Sequence, residues 1–226
     1  MSPSANIGNP DNPPSAGTPG TVSAHTLGIY RLQHEAPPGM LIIGIDEVGR
    51  GAVAGPLTVA AVALPCEPMI EGLDDSKKLS ARERESLSIQ IREIAYAIGV
   101  AHIAPRRIDT MGMARALRHA MRAALADTGL KPDLVLIDGN PMGIHPTERS
   151  IIKGDASVAC IAAASIIAKV TRDAIMVKLD GICPRYGFAQ NKGYASAAHI
   201  AAIKEEGLSP LHRKTFCQSF LQESLF

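Results

Sequence analysis

Three short apolar runs, LIIGI (41–45), LTVAAVAL (57–64) and AYAIGVAHI (95–103), have the length and the bounding residues of buried strands. A glycine-bearing stretch separates the first two, which predicts an antiparallel hairpin. Between the second and third, SARERESLSIQIREI sets Leu87, Ile91 and Ile94 at helical spacing among charges, and Ser80 with Glu83 makes a capping box at its start. A second helix, roughly Met111 to Asp127, is predicted to lead through Gly129 and Pro132 into DLVLIDG, another short apolar run that ends in an aspartate. The longest periodic stretch, SVACIAAASIIAKVTRDAIMVKL (157–179), is predicted as a helix opened by Asp155 or Ser157, its alanines allowing close approach to a sheet. Strands alternating with helices imply a mixed α/β sheet with helical crossovers.

Composition sets limits on this picture. With 226 residues, 46% hydrophobic and 20% charged, the chain has material for one well-buried domain and a small appendage. Residues 1–39 hold seven of the sixteen prolines and five glycines, with one Arg, one Asp and one Glu as the only fully charged side chains. Such a segment buries too little apolar area to offset its ordering entropy. It is expected to be a disordered extension at least to about residue 25, with TLGIYRLQHEA docking loosely, and the folded domain is expected over 40–217 with a short tail at 218–226. The apolar runs are short or interrupted by charge, and no secretory signal is visible, so a cytoplasmic protein without a membrane span is expected. Cys66, Cys160, Cys183 and Cys217 lack C-x-x-C spacing and read as reduced, buried thiols rather than metal ligands or disulfides. A net charge of +1 gives no global attraction for nucleic acid, so any such partner must be argued from local sites.

The chemistry concentrates where apolar runs stop. LIIGID ends in Asp46 followed by Glu47, and DLVLID ends in Asp138. In open α/β sheets, ligands gather outside the carboxyl ends of strands, so two neighbouring strand ends would bring these carboxylates together. Asp173 lies four residues after Lys169 on the long helix, and taken alone that pair reads as a surface ion pair. Four carboxylates in one pocket repel each other unless cations are present. All-oxygen ligation selects hard divalent ions, Mg²⁺ or Mn²⁺, and two such ions suit in-line phosphoryl displacement. The loop GRGAVAG matches neither a dinucleotide nor a Walker pattern, but Gly49 and Gly51 flank Arg50 and allow a backbone to approach a sugar or phosphate. Lys77 and Lys78 in DDSKKLS are candidate phosphate contacts whose bland reading is a solvated loop. Tyr186, Phe188, Lys192 and Tyr194 interleave aromatic and basic residues, a pattern of nucleic-acid surfaces and also of ordinary cores.

Taken in order, GIDEVGRGAVAGP, DDSKKLS, LIDGNP, KGDASVACIAAASIIAKVTRD, YGFAQNKGY and HRKTF resemble the bacterial type 2 ribonucleases H, the ribonuclease HII family, over about residues 41–217. The resemblance implies a ribonuclease H-like mixed sheet flanked by helices, with a small helical C-terminal region from about residue 182. It implies that Asp46, Glu47, Asp138 and Asp173 are the catalytic, metal-binding carboxylates, with Asp46 shared between two ions. It further implies that Gly49, Arg50 and Gly51 form the glycine–arginine–glycine loop, that Tyr194 senses the RNA–DNA junction, and that Ser76 and Lys77 contact phosphate. The substrates implied are RNA–DNA hybrids and DNA duplexes containing ribonucleotides, cut 5′ of the ribonucleotide to leave 5′-phosphate and 3′-hydroxyl ends, with no membrane and no obligatory protein partner. Two rival readings are a structure-specific DNA endonuclease on the same fold and a hybrid-binding protein without catalysis. The proline-rich N-terminal stretch has no counterpart in the family pattern.

Overall fold

The computed structural model describes residues 22–222. Five strands form one sheet in the order β3-β2-β1-β4-β5, where β1 is Ile42–Val48, β2 Leu57–Ala63, β3 Ala97–Ile103, β4 Leu134–Asp138 and β5 Glu148–Ile151. β1 pairs antiparallel with β2 and parallel with β4, so the sheet is mixed, as the alternation of elements predicts. β5 escapes the sequence reading: its four residues, ERSI, include an exposed Arg149, and an edge strand half open to water carries little apolar signal. Both predicted crossover helices form, α2 (Ala81–Ile94) and α4 (Met113–Asp127), with a short α3 (Pro105–Met111) before the latter. Ser80 and Glu83 close the predicted capping box on α2.

Period-two alternation divides β2 between the two faces of the sheet. Ala60 and Val62 pack with α1 (Ala24–Glu35), α2 and the long helix α5 (Ala159–Ile182), while Val59 and Ala61 pack with α3 and α4. α5 begins from Val158 without a side-chain cap. The two residues expected to open it are engaged elsewhere: Asp155 lies 3.4 Å from the Lys77 ammonium, and the Ser157 hydroxyl donates to the Lys153 carbonyl. No helix among the described residues is long and apolar enough to cross a membrane.

The N-terminal expectation needs correction. Of the stretch expected to be disordered to about residue 25, residues 1–21 lie outside the described residues, but Ala24–Glu35 is a helix, α1, whose Ser23 cap also bonds Glu71. Ile29 and Tyr30 are buried in the core and the Tyr30 hydroxyl accepts from the Ile70 N–H. Only a narrow apolar edge of α1 makes this contact, and Thr26 and Gln33 are buried beside it, so the segment reads as polar in sequence. At the other end, residues 218–222 continue α8 (Lys214–Gln222) instead of forming a tail. Asp109 holds the start of that helix by accepting from the N–H groups of Lys214 and Thr215. All four cysteines are free, but Cys66 is exposed, not buried.

Beyond α5, the short helix α6 (Phe188–Asn191) and α7 (Ala197–Glu206) join α8 around a buried histidine pair. His199 and His212 face each other through their Nε2 atoms at 3.1 Å. The Tyr194 carbonyl can only accept, so His199 Nδ1 carries a proton, and the Ser209 N–H can only donate, so His212 Nδ1 does not. Both rings are therefore neutral, with His212 donating from Nε2 to His199. Tyr186 and Phe188 stack against each other beside them at 5.5 Å, so these two aromatics serve the core and not a nucleic-acid surface.

Two expectations follow. Tyr30→Ala should cost about 3 kcal/mol, about 6–12 °C in melting temperature, and a chain lacking residues 1–35 should melt below one lacking 1–21. Burial, reinforced by His199, moves His212 from 6.5 down to about 4. The unfolded chain binds more protons between those values, so this contribution is complete above pH 6.5 and is lost as pH falls toward 4. Thermal melts at pH 7.5 and pH 5 should show a loss of about 2 kcal/mol from this pair, and a smaller loss in His212→Gln.

Candidate active site

Parallel pairing of β1 with β4 sets Ile45 beside Ile137, so Asp46 and Asp138 leave neighbouring strands at the same edge of the sheet. Asp46 shares its face of β1 with Gly44, where a β-carbon would overlap the Cys160 backbone of α5. α5 thus runs hard against the strand, and Ser165, Lys169, Arg172 and Asp173 follow one another along the helix at steps of four, three and one. Together these elements enclose a cleft of about 470 Å³. Asp46, Glu47, Gly49, Arg50, Gly51, Ser76, Lys77, Asp138 and Tyr194 all line it, with Ser165 and Lys169. Asp173 stands at the margin, its carboxylate 2.9 Å from the Lys169 ammonium that reaches the cleft wall. Lys78 is turned to Asp74, 2.9 Å away, and Lys192 is not on the wall.

Asp46 is 5% exposed, and burial drives its carboxyl well above the ordinary range, with Glu47 and then Asp138 adding repulsion against a hydrogen bond from Ser165. Burial also raises Glu47; Arg50, 3.6 Å away, offsets part of that, and Asp138 adds to it. Asp138 accepts from the Gly154 N–H at 2.7 Å, which fixes its orientation at the end of β4. Ser76 is buried and its hydroxyl lies 2.9 Å from that of Ser165, so it braces α5 from the cleft floor. Lys77 is largely exposed; burial of its stem opposes the charge, but Asp75, Asp155 and Asp46 together hold its pKa above normal.

The donor set is all oxygen, and Arg50, Lys77 and Lys169 around the wall offset part of its charge. Among the described residues no three His, Cys, Asp or Glu side chains form a ready-made cage. Such a set fits Mg²⁺ or Mn²⁺, which bind through one or two carboxylates and keep waters and phosphate oxygens for the rest of the shell. Thiolate-binding metals find no ligands here.

The two loop glycines differ. Gly49 has φ +88° and a β-carbon there would run into the Arg172 guanidinium, so the fold itself demands glycine. Gly51 has open space around its α-carbon, and nothing in the protein requires it to lack a side chain. Two residues that sequence reasoning passed over also belong to this region: Arg172 and Arg213 are fully buried beneath the loop. Their neighbourhood of carbonyl groups leaves no mark in the sequence, although both sit in quoted motifs, VTRD and HRKTF.

The family model described as Ribonuclease HII matches residues 43–219. The chain belongs to the ribonuclease HII family. It is 48% identical over 176 residues to a ribonuclease HII of Enterococcus faecalis, covering 78% of this chain and 69% of that one. A Coxiella burnetii ribonuclease HII is 47% identical over 183 residues, covering 80% and 91%. The crystal structure of the ribonuclease H2 from Pyrococcus horikoshii OT3 superposes with a TM-score of 0.67 at 27% identity, covering 81% of this chain and 98% of that one. The chain is accordingly an endoribonuclease with a ribonuclease H-like fold, a hydrolase acting on RNA–DNA hybrids.

Gly49→Ala should lower the melting temperature, because left-handed strain of about 1 kcal/mol adds to the collision with Arg172. Gly51→Ala should melt within about 2 °C of wild type. Thermal melts of the two variants side by side check the distinction.

Proposed function

We propose that this ribonuclease HII is a divalent-metal-dependent endonuclease that hydrolyses the RNA strand of hybrids and also cuts 5′ of a single ribonucleotide embedded in duplex DNA. The observation that carries the reading is the convergence of Asp46, Glu47 and Asp138 with the Gly49–Gly51 loop, Lys77 and Tyr194 on one cleft, with Asp173 at its edge. Asp46, the most enclosed of the four, and Glu47, Asp138 and Asp173 would hold two Mg²⁺ or Mn²⁺ ions. Bound there, the ions would supply water activation and charge stabilisation at phosphorus. In that role Asp173 would be shared with or released by Lys169, whose ammonium, 2.9 Å away, would remain a counter-charge on the wall.

The other lining groups place the substrate. Lys77 offers an exposed ammonium to a backbone phosphate, with Ser76 keeping its segment fixed to α5. Gly51 lets the loop backbone come within hydrogen-bonding distance of a 2′-hydroxyl, the group that separates RNA from DNA. Tyr194, 38% exposed at the cleft wall, offers a ring face to the sugar across the junction. Ribose recognition on one side and the carboxylates on the other would align the scissile phosphate only when a 2′-hydroxyl is present. The products are a 5′-phosphate and a 3′-hydroxyl.

A labelled DNA duplex containing one ribonucleotide tests this. With Mg²⁺ or Mn²⁺ present, wild-type protein should cut on the 5′ side of the ribonucleotide and leave all-DNA and 2′-O-methyl controls intact. Asp138→Asn should reduce cleavage by about a hundredfold or more while hybrid affinity, carried by backbone contacts, is retained. Cleavage of the all-DNA control at a similar rate would favour a structure-specific DNA endonuclease instead.

A further inference from the structure

The Gly49–Pro56 loop stands on two guanidinium groups. Arg172 of α5 donates from Nε to the Pro56 carbonyl at 2.9 Å, from Nη2 to the Ala54 carbonyl at 3.2 Å and from Nη1 to the Lys192 carbonyl at 2.8 Å. Arg213 donates from Nε and Nη2 to the Gly55 carbonyl at 3.2 and 3.0 Å, and from Nη1 to the Arg50 carbonyl at 3.0 Å. Both side chains are fully buried, and among the described residues no ion pair joins either to a carboxylate. Burying an arginine whose hydrogen bonds all go to carbonyl groups is costly unless the carbonyls need it. Here the carbonyls of Arg50, Ala54, Gly55 and Pro56 are all drawn to the protein side.

Two consequences follow for the cleft. While the carbonyls of Arg50, Ala54, Gly55 and Pro56 are held by the arginines, no acceptor among the described residues takes the N–H of Arg50 or Gly51, so these two donors of the cleft-lining loop are left for a ligand. The second consequence concerns Tyr194. Arg172 Cζ lies 5.3 Å from the Tyr194 ring centroid, while the Gly193 carbonyl accepts from the N–H groups of Val53 and Ala54. One guanidinium therefore spans the loop, the segment before the tyrosine and the tyrosine ring, on the helix that also carries Asp173.

We propose that Arg172 and Arg213 are positioning residues that set substrate selectivity: they orient the donor edge of the glycine–arginine–glycine loop and hold Tyr194 at a fixed place relative to the carboxylates. The inference rests on the reading that loop and tyrosine contact the ribose side of the substrate. A lysine in either place keeps the charge but offers a single ammonium in place of a planar fork that makes three hydrogen bonds, to three carbonyls from Arg172 and to two from Arg213. Charge alone and geometry therefore separate in Arg→Lys variants.

The experiment compares Arg172→Lys, Arg213→Lys, Tyr194→Ala and the Arg172→Lys/Tyr194→Ala double variant as full-length chains. Cleavage is measured on a DNA duplex with one ribonucleotide and on a continuous hybrid, together with amide hydrogen exchange. Each lysine variant should lose about tenfold to a hundredfold in kcat on the single-ribonucleotide duplex, with a smaller loss on the continuous hybrid. Exchange should quicken in 49–56 and 190–196 and stay unchanged in β1 and β4. Arg172→Lys should cost less in the Tyr194→Ala background than in wild type on the single-ribonucleotide duplex, because the part of its effect that acts through the tyrosine is lost while the part that acts through the loop remains. Folded lysine variants with wild-type selectivity, or losses that multiply in the double variant, would overturn the proposal while leaving the tyrosine's role intact. An unimpaired Tyr194→Ala would instead remove the reading beneath it. Failure of both lysine variants to fold would make the arginines a requirement of the fold and not of the site, which also overturns it.

Discussion

Everything in this cleft depends on how closely α5 lies against β1. Contact at Gly44 leaves no room for a single β-carbon, and Ala162, Ala163 and Ala164 extend the same close approach along the helix. A larger residue at any of these points would lift the helix and carry Ser165, Lys169, Arg172 and Asp173 away from Asp46 together. The helix thus acts as a ruler: packing of small residues at one end sets the reach of functional side chains at the other. Because the ruler is a core contact, the geometry of the site is inherited from the stability of the domain.

Electrostatics works against that geometry. Burial raises the proton affinity of Asp46 and Glu47, Asp138 adds repulsion to both, and the fold counters this with cations placed around the wall, Arg50, Lys77 and Lys169. These cations have a second use. Each is tethered to a carboxylate within 3.6 Å, so each is already positioned where a phosphate backbone would compete for it. The site is built from opposing charges that a polyanionic ligand and divalent ions could exchange among themselves.

Much of this could be read from the chain. Strand-end aspartates at 46 and 138 and the capped α2 follow from local rules that tertiary structure leaves intact. Failures came where burial contradicts residue type. Arg172, Arg213, His199 and His212 are polar residues with almost no exposure, and their partners are backbone carbonyls or each other, which no sequence pattern marks. α1 was read as loose because its buried edge is short and shared with Thr26 and Gln33. Tyr186 and Phe188 suggested a binding surface because they neighbour Lys192, yet the turn at Gly187, with φ +64°, directs them into the small C-terminal core.

The parallel register that joins Ile42 to Leu134 brings together two strands made far apart in the chain, and Tyr194 arrives later still. Pairing β1 with β4 closes the whole intervening chain into a loop, which makes this contact entropically demanding. During synthesis the carboxylates at the end of β1 therefore emerge well before Asp138, Asp173 and the tyrosine that complete the cleft. A nascent or truncated chain carries the signature residues of a nuclease without their assembly. The cleft in this architecture is complete only once the chain through Tyr194 has been made and folded.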